Sequence, residues 1–251
     1  MVANFGSIAV TTSETFERLG PNSQSPIAAC ADHAGNSLPP DLALGIGDDV
    51  LDQHVAVDLG VRELSQCLAG NHNIPVHVAK VSRLVVDLHR REDDPAVMPK
   101  TSDGIAIPGN DAGRLEDRLA RFHRPYHAGL ENFIEDTEPE LFLALHSFTP
   151  RLKTSGEKRP WEVGLLYNND DRAARHAIRL FKNMGFTVGD NEPYSGKQFN
   201  ATMDRHAETR RIPYLTIEVR QDLVTSAQGQ SEWADRIAQV ARQTLAALKA
   251  N

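Results

Sequence analysis

The chain has 251 residues, of which 40% are hydrophobic and 24% charged, and this composition excludes a disordered or fibrous protein. Its formal net charge of −7 argues against non-specific binding of nucleic acid, because such binding needs a basic surface. The sequence contains no apolar run long enough to cross a membrane. We therefore expect neither nucleic acid nor a membrane as a partner, and the sequence carries no signal for an oligomeric state.

The cysteines and the N-terminal residues bear on the compartment. Cys30 and Cys67 are the two cysteines, and neither belongs to a Cys-x-x-Cys motif, so a zinc knuckle or a disulfide framework is not expected. Residues 1–17 lack the basic and apolar regions of a signal peptide. We therefore expect a cytoplasmic protein with reduced thiols.

The predicted elements alternate between strands and helices along the chain. After a lead-in strand and loop, the first half predicts a strand at 27–31, a helix at 50–69 capped by Asp48 or Asp49, strands at 75–79 and 84–88, helices at 111–123 and 126–135 broken at Pro125, and a strand at 141–145. The second half predicts strands at 163–167, 186–188 and 214–219 and helices at 170–184 and 231–250.

Most predicted strands are continuous apolar runs, which are typical of a sheet covered on both faces. Alternation of such strands with helices predicts an α/β fold with a mixed, mostly parallel central sheet and helices on both faces. No shift in composition divides the chain, so we expect one domain over residues 1–251.

Polar side chains gather where four of these strands are predicted to end. In open α/β sheets, ligands bind in the crevice outside the carboxyl ends of the strands. We therefore expect one site built from four pairs of residues: Asp32 and His33, Asp87 and Arg90, His146 and Ser147, and Glu218 and Arg220.

Two of these residues, His33 and His146, are candidate metal ligands, because neutral imidazole is a common ligand of zinc. Each is also compatible with a hydrogen-bonded turn residue. A catalytic zinc site needs a third protein ligand. His54 and Asp58, four residues apart on the predicted helix, are the alternatives for that ligand.

His123 and His127 share the same spacing as a metal-binding pair, but Pro125 lies between them and argues against one regular helix. We therefore interpret these two histidines as structural or supporting residues.

Glu218 is a carboxylate in the middle of a predicted strand, which is costly unless it is paired or faces a cavity. Two interpretations remain open: an ion pair with Arg220 on the same face, or a general base that activates water. Arg83, Arg90, Arg91 and Arg220 are candidates for binding a substrate carboxylate. Arg90 is favoured because it lies just past a predicted strand end, and Asp87 is expected to hold it.

Six ordered blocks of the sequence together resemble the N-formylglutamate amidohydrolase family. The resemblance runs from about residue 27 to residue 235 and implies a relation to the zinc carboxypeptidase and aspartoacylase group, hence a zinc-carboxypeptidase-like fold. The blocks are 32–36 (DHAGN), 54–60 (HVAVDLG), 82–87 (SRLVVD), 146–150 (HSFTP), 191–196 (NEPYSG) and 217–222 (IEVRQD).

The resemblance implies roles for individual residues. His33 and His146 resemble the first and last zinc ligands, Glu218 the general base, and Arg90 the residue that holds a substrate carboxylate. The chain departs from the larger group at two positions. Asn36 stands where that group has a ligating Glu, which leaves Asp58 or His54 as the third ligand, and His89 replaces an Asn.

The activity that the resemblance implies is zinc-dependent hydrolysis of the N-acyl amide bond of a small acidic amino acid, with N-formyl-L-glutamate as the candidate substrate. Arg83 is expected to stabilise the oxyanion, and Arg90 and Arg220 to bind the substrate carboxylates. Two alternatives are a different metal-dependent amide hydrolase of the same fold and a non-catalytic binding protein that has lost the third ligand.

Overall fold

The computed structural model describes residues 11–21, 23–111, 113–152, 154 and 156–250. Its strands are β1 (Thr11–Thr12), β2 (Phe16–Leu19), β3 (Ile27–Ala31), β4 (Val76–Ala79), β5 (Thr101–Ser102), β6 (Ile105–Ala106), β7 (Leu141–Phe148), β8 (Val163–Leu166), β9 (Val188–Asp190) and β10 (Tyr214–Arg220). Its helices are α1 (Val61–His72), α2 (Leu115–Arg118), α3 (Arg124–Thr137), α4 (Arg172–Asn183), α5 (Ala201–His206) and α6 (Ala227–Lys249).

Eight strands form one mixed sheet in the order β1-β2-β4-β3-β7-β10-β8-β9. Four neighbouring pairs are parallel, namely β4 with β3, β3 with β7, β7 with β10, and β8 with β9. Every residue of the central strands β3, β4 and β7 is buried, because α1, α4 and α6 pack together over one face while α3 covers β3 and β4. The predicted α/β class with a mixed, mostly parallel sheet is confirmed.

None of the helices in the described residues has the length and apolarity to span a bilayer.

The helix predicted over 50–69 is shorter than expected. A single 3₁₀ turn at Asp48–Val50 is followed by irregular turns, and α1 begins only at Val61. Gly60 is the reason: its φ of 80° is left-handed, and a Cβ there would lie 2.0 Å from the Val224 carbonyl oxygen. His54 and Asp58 therefore lie on the irregular segment and do not share a helix face.

The strand predicted at 84–88 is absent, and the segment is irregular although buried. The Ser82 hydroxyl accepts a hydrogen bond from the Leu84 amide, and Asp87 Oδ1 accepts one from the His89 amide. Such local bonds to side chains compete with pairing in a sheet. Side chains elsewhere replace the missing strand partners: Asn110 Nδ2 donates to the carbonyl of Leu84.

The helix break predicted at Pro125 is also wrong. The chain stays helical from α2 through a π-helical turn at Leu119–His123 into α3, which contains Pro125 near its start. Proline has no N–H and clashes with the carbonyl four residues before it, and the wider π turn accommodates both effects without ending the helix.

Strand β7 is longer than predicted and includes His146 and Ser147, which we expected to follow the strand. All eight of its residues are buried. The parallel register of β7 and β10 places His146 directly beside Glu218. The two functional candidates are therefore fixed by sheet geometry rather than by a loop.

His77 on β4 is a buried histidine with no hydrogen-bond partner for either ring nitrogen among the described residues. Its ring packs against Phe16, Tyr126 and Phe133. Burial, reinforced by Arg18, lowers the pKa of His77 to about 3.

His77→Leu is therefore expected to make the protein more resistant to acid. A histidine whose pKa is depressed on folding contributes no penalty above its unfolded pKa, and it destabilises the fold as the pH falls below that value. Between pH 7.5 and 5 the wild type should lose about 2 kcal/mol more unfolding free energy than His77→Leu. Urea unfolding at both pH values measures this difference, and equal losses in the two proteins would contradict it.

Candidate active site

Three side chains converge at the carboxyl end of the sheet. His33 lies two residues after the end of β3, His146 lies on β7, and Asp58 comes from the irregular segment before α1. Asp58 Oδ2 lies 2.9 Å from His146 Nδ1 and 3.7 Å from His33 Nδ1. The sequence left His54 and Asp58 as alternatives, and the structure brings Asp58 into this cluster.

Local backbone packing fixes this convergence. The amide of Asp58 donates to the carbonyl of His33 at 2.9 Å, which joins the two segments directly. Gly35 lies just after His33, and a Cβ there would be 2.2 Å from the Lys80 carbonyl. Only glycine therefore allows the turn that carries His33 to pack this closely against the chain after β4.

The cluster of His33, Asp58 and His146 fits a divalent metal. One ligand atom from each residue lies within 4.8 Å of the others, and all three residues are buried. Tetrahedral zinc with bonds of ~2.0–2.1 Å places its ligand atoms roughly 3.3 Å apart, close to the two distances to Asp58. Within the described residues His146 Nε2 has no hydrogen-bond partner although it is buried. Two imidazoles, one carboxylate and an adjoining cavity are a donor set and an opening that catalytic zinc sites can use.

Asp87 orients His33 from the side opposite the cluster. Its Oδ1 accepts a hydrogen bond of 2.7 Å from His33 Nε2, which leaves His33 Nδ1 facing Asp58. Arg83 donates to the other oxygen of Asp87 at 2.7 Å. A carboxylate that holds the second nitrogen of a ligating histidine fixes both the tautomer and the ring orientation.

The charges of the cluster favour a bound cation. Burial and Arg83 lower the pKa of His33, but the Asp87 and Asp58 carboxylates outweigh them and raise it to about 9. Burial raises the pKa of Asp58, and the two neighbouring histidines outweigh it and hold that pKa well below its usual value. Without a metal, a proton on His33 supplies the positive charge that the buried carboxylates need. Metal binding at this cluster should therefore release a proton.

Glu218 lies beside this cluster on β10, next to His146 in the sheet register. Its Oε2 is buried and has no hydrogen-bond partner among the described residues. Burial, together with the negative charge of Asp58, raises the pKa of Glu218 to about 8. The ion pair with Arg220 that the sequence left open does not form, because the Arg220 guanidinium donates to Asp222 at 2.7 Å.

A cavity of about 360 Å³ opens above the cluster, and Glu218, Arg83 and Arg90 line it. Arg83 donates a hydrogen bond to Asp87. Arg90 is held more loosely, 3.5 Å from Asp94 and 3.9 Å from Asp87, with its guanidinium 4.6 Å above the ring of Phe199.

Arg220 is not among the residues that line this cavity. Arg91 does not line it either and donates to Asp93 on the surface. Two of the four arginines singled out in the sequence are thus brought to the site.

His54 forms part of the cavity wall rather than the metal cluster. Its Nε2 donates to Asp103 at 3.0 Å, and Asp103 also accepts two hydrogen bonds from Thr154. His54 is therefore engaged with the β5–β6 hairpin, whereas Asp58 lies in the cluster.

Comparison with known proteins identifies the family. A sequence model described as N-formylglutamate amidohydrolase matches residues 25–225, which is most of the chain. The chain belongs to the N-formylglutamate amidohydrolase family. None of the curated protein sequences matches it significantly.

Solved structures agree with this assignment at the level of the fold. A gene product of Agrobacterium tumefaciens is 25% identical, with a TM-score of 0.88, over 94% of this chain and 97% of the other. An N-formylglutamate amidohydrolase from Ralstonia eutropha JMP134 is 20% identical, with a TM-score of 0.67, over 91% of this chain and 99% of the other.

Membership of the N-formylglutamate amidohydrolase family supports an enzyme that hydrolyses an amide bond. The two departures from the larger zinc group can be located in the structure. Asn36 donates to Asp52 on the exposed surface, and Asp58 brings the carboxylate to the cluster instead. His89 lines the cavity and is engaged on both ring nitrogens, by Asp32 Oδ2 at 2.8 Å and by the Phe199 carbonyl at 3.3 Å.

A second group of potential ligands, Asp32, His89 and His146, adjoins the first. Asp32 is fully buried and accepts hydrogen bonds from His89 and from the Tyr126 hydroxyl. Asp32 is thus held by His89 and Tyr126, and this second group adjoins the first through His146, which both groups contain.

Sequence reasoning assigned no role to Tyr194 and Arg159. Tyr194 lines the cavity and lies within the sequence block 191–196, so membership of that block could have marked it as a candidate site residue. Arg159 donates to the Tyr194 hydroxyl at 3.0 Å and packs over its ring. Arg159 comes from a polar loop with no periodic pattern, so nothing local distinguished it.

Proposed function

We propose that this protein is a zinc-dependent amidohydrolase acting on the N-acyl amide bond of a small acidic amino acid. The candidate reaction converts N-formyl-L-glutamate and water into formate and L-glutamate. The observation that carries the proposal is the convergence of His33, Asp58 and His146 beside Glu218, in a cavity that Arg90 lines.

His33, Asp58 and His146 would hold the metal, with Asp87 orienting His33. When bound, zinc would supply the Lewis acidity that makes water a stronger acid and polarises the acyl carbonyl. The protein's part is to keep the three ligands fixed and buried while the cavity side stays open to substrate.

Glu218 would act as general base and then as general acid. Its position next to His146 would put a carboxylate beside the proposed metal site, where water would attack the acyl carbon. Glu218 takes the proton from the attacking water and later gives a proton to the amine as the C–N bond breaks.

The arginines would recognise the anionic part of the substrate. Arg83 faces Asp58 and Asp87, where its positive charge can stabilise the oxyanion of the tetrahedral intermediate. The Arg90 guanidinium lies 3.5 Å or more from its carboxylate neighbours Asp94 and Asp87. Its N–H groups could therefore bind a substrate carboxylate in a bidentate geometry. A cavity of about 360 Å³ suits a small amino-acid derivative.

Arg90→Gln is expected to raise KM for N-formyl-L-glutamate by about 10- to 100-fold, because a charge-assisted hydrogen bond to the substrate is lost. Arg220→Gln serves as the control, since Arg220 is bound to Asp222 outside the cavity lining. Steady-state kinetics of formate release measure both variants. An equal rise of KM in the two would mean that Arg90 has no special contact with the substrate.

A substrate panel tests the reaction class. N-formyl-L-glutamate, N-formyl-L-methionine and N-acetyl-L-aspartate are assayed with the purified, metal-loaded chain. Preference for N-formyl-L-glutamate supports the candidate reaction, and preference for N-acetyl-L-aspartate keeps the reaction class with a different substrate. Preference for N-formyl-L-methionine identifies a different deacylase of the same fold. Absence of hydrolysis from a chain that retains metal would contradict the proposal.

We also place the enzyme in the cytoplasm, where Cys30 and Cys67 would remain the free thiols found in the structure.

A further inference from the structure

The buried irregular segment 84–90 carries two residues of the site. Asp87 orients His33, and Arg90 faces the cavity. A buried segment outside the sheet has backbone carbonyls that need donors from elsewhere. Those donors include side chains of residues 110–127, such as Arg118, which donates to the Val85 carbonyl at 2.7 Å. Thr202 on α5 also donates to the Leu88 carbonyl, at 3.4 Å.

Two of these donors are histidines on or next to α3. His127 Nε2 lies 3.0 Å from the carbonyl of Leu88, and His123 Nε2 lies 2.9 Å from the carbonyl of Arg90. A carbonyl can only accept, so both imidazoles must carry their proton on Nε2. His123 and His127 thus hold the two ends of the tripeptide that presents Arg90.

A third histidine fixes the tautomer of His127. His206 Nε2 lies 2.9 Å from His127 Nδ1, and the two rings are stacked. Since His127 Nδ1 has no proton, it accepts, and His206 Nε2 donates. The result is a directed chain of hydrogen bonds from His206 through His127 to the Leu88 carbonyl.

This arrangement requires neutral rings, and the surroundings provide them. Burial is the main cause that lowers the pKa of His123, His127 and His206, in the last case to about 4. His127 and His123 are at most 2% exposed.

We propose that His123, His127 and His206 are positioning residues, and that His123 in particular sets the guanidinium of Arg90 for substrate binding through the Arg90 carbonyl. The inference rests on the proposed function, because it assigns Arg90 to the substrate carboxylate. His123 itself belongs neither to the metal cluster nor to the residues that line the catalytic cavity. Its effect therefore passes through the backbone of Arg90.

The kinetic test compares His123→Leu with His123→Gln. His123→Leu removes the donor to the Arg90 carbonyl, and we expect KM for N-formyl-L-glutamate to rise about 10-fold with kcat within about twofold. His123→Gln keeps an Nε2 donor and should return KM to within about threefold of the wild type.

Ser65→Ala is the matched control for loss of a buried hydrogen bond. Ser65 lies on α1 and bonds the Val61 carbonyl, away from segment 84–90. The inference is overturned if His123→Leu leaves KM unchanged, if His123→Gln fails to rescue it, or if Ser65→Ala raises KM equally.

A spectroscopic test separates this inference from the proposed function. Long-range ¹H–¹⁵N correlations of the metal-loaded chain, labelled with ¹⁵N-histidine, report which ring nitrogen carries the proton. At pH 7 we expect neutral Nε2–H tautomers at His123, His127 and His206. An Nδ1–H tautomer at His123 or His127 would refute the positioning role whatever the activity. A wild type with these tautomers but no hydrolysis would instead refute the proposed function.

Discussion

Replacing Glu218 by Gln is expected to lower kcat for N-formyl-L-glutamate by about 10²- to 10⁴-fold, the range for loss of a general base. Gln has nearly the same shape but cannot accept a proton from water. The three metal ligands are left in place, so the metal content should be unchanged. Formate release and metal analysis of the same preparation measure the two quantities together.

Two controls distinguish loss of the general base from a loss of folding or packing. Thr216 lies two residues before Glu218 on β10, and Thr216→Val removes its buried hydrogen bond to Asn200. This variant should lower kcat far less than Glu218→Gln does. Because folding raises the pKa of Glu218 above its unfolded value, its ionisation destabilises the metal-free protein as the pH rises. Glu218→Gln should therefore unfold at the same temperature as the wild type or higher at pH 7. Turnover that survives in Glu218→Gln would show that another group is the base.

Asp58→Asn should weaken metal binding by more than about 100-fold, because even residues that only orient a ligand contribute about 10- to 100-fold. Asn keeps the shape of the side chain but loses the charge between His33 and His146. His54→Gln is the matched variant, since His54 bonds Asp103 outside the cluster. It should retain the metal.

Competition with a chelator measures both dissociation constants, and metal analysis after dialysis checks the stoichiometry. Activity of Asp58→Asn should return at high zinc concentration if the fold is intact. A His54→Gln variant that loses the metal while Asp58→Asn keeps it would reverse the assignment of the third ligand.

The strands that carry the site were predictable because their causes are local. The apolar runs before His33 and around Glu218 predict β3 and β10, and the ends of parallel strands meet at one edge. The position of Asp58 was not predictable in the same way. The helix predicted to contain Asp58 begins only after Gly60, whose left-handed conformation goes with a close approach to Val224. That contact comes from a distant part of the chain.

The segment 84–90 shows the same limit more clearly. Its apolar residues read as a strand, yet it lies outside the sheet, and Asn110, Arg118, His127 and His123 bind its carbonyls. Periodicity records which residues are buried and says nothing of which distant donors satisfy the backbone. The role of Asp87 depends on this segment, so the sequence suggested Asp87 as a partner for Arg90 rather than for His33.

The most direct test of the account is formate release from N-formyl-L-glutamate by the purified chain, measured as isolated, after chelation and after addition of Zn²⁺. The account predicts activity that chelation abolishes and zinc restores, with one metal bound per chain at the cluster of His33, Asp58 and His146. Hydrolysis that persists at full rate after the metal has been removed, or none when one zinc is bound, would contradict it.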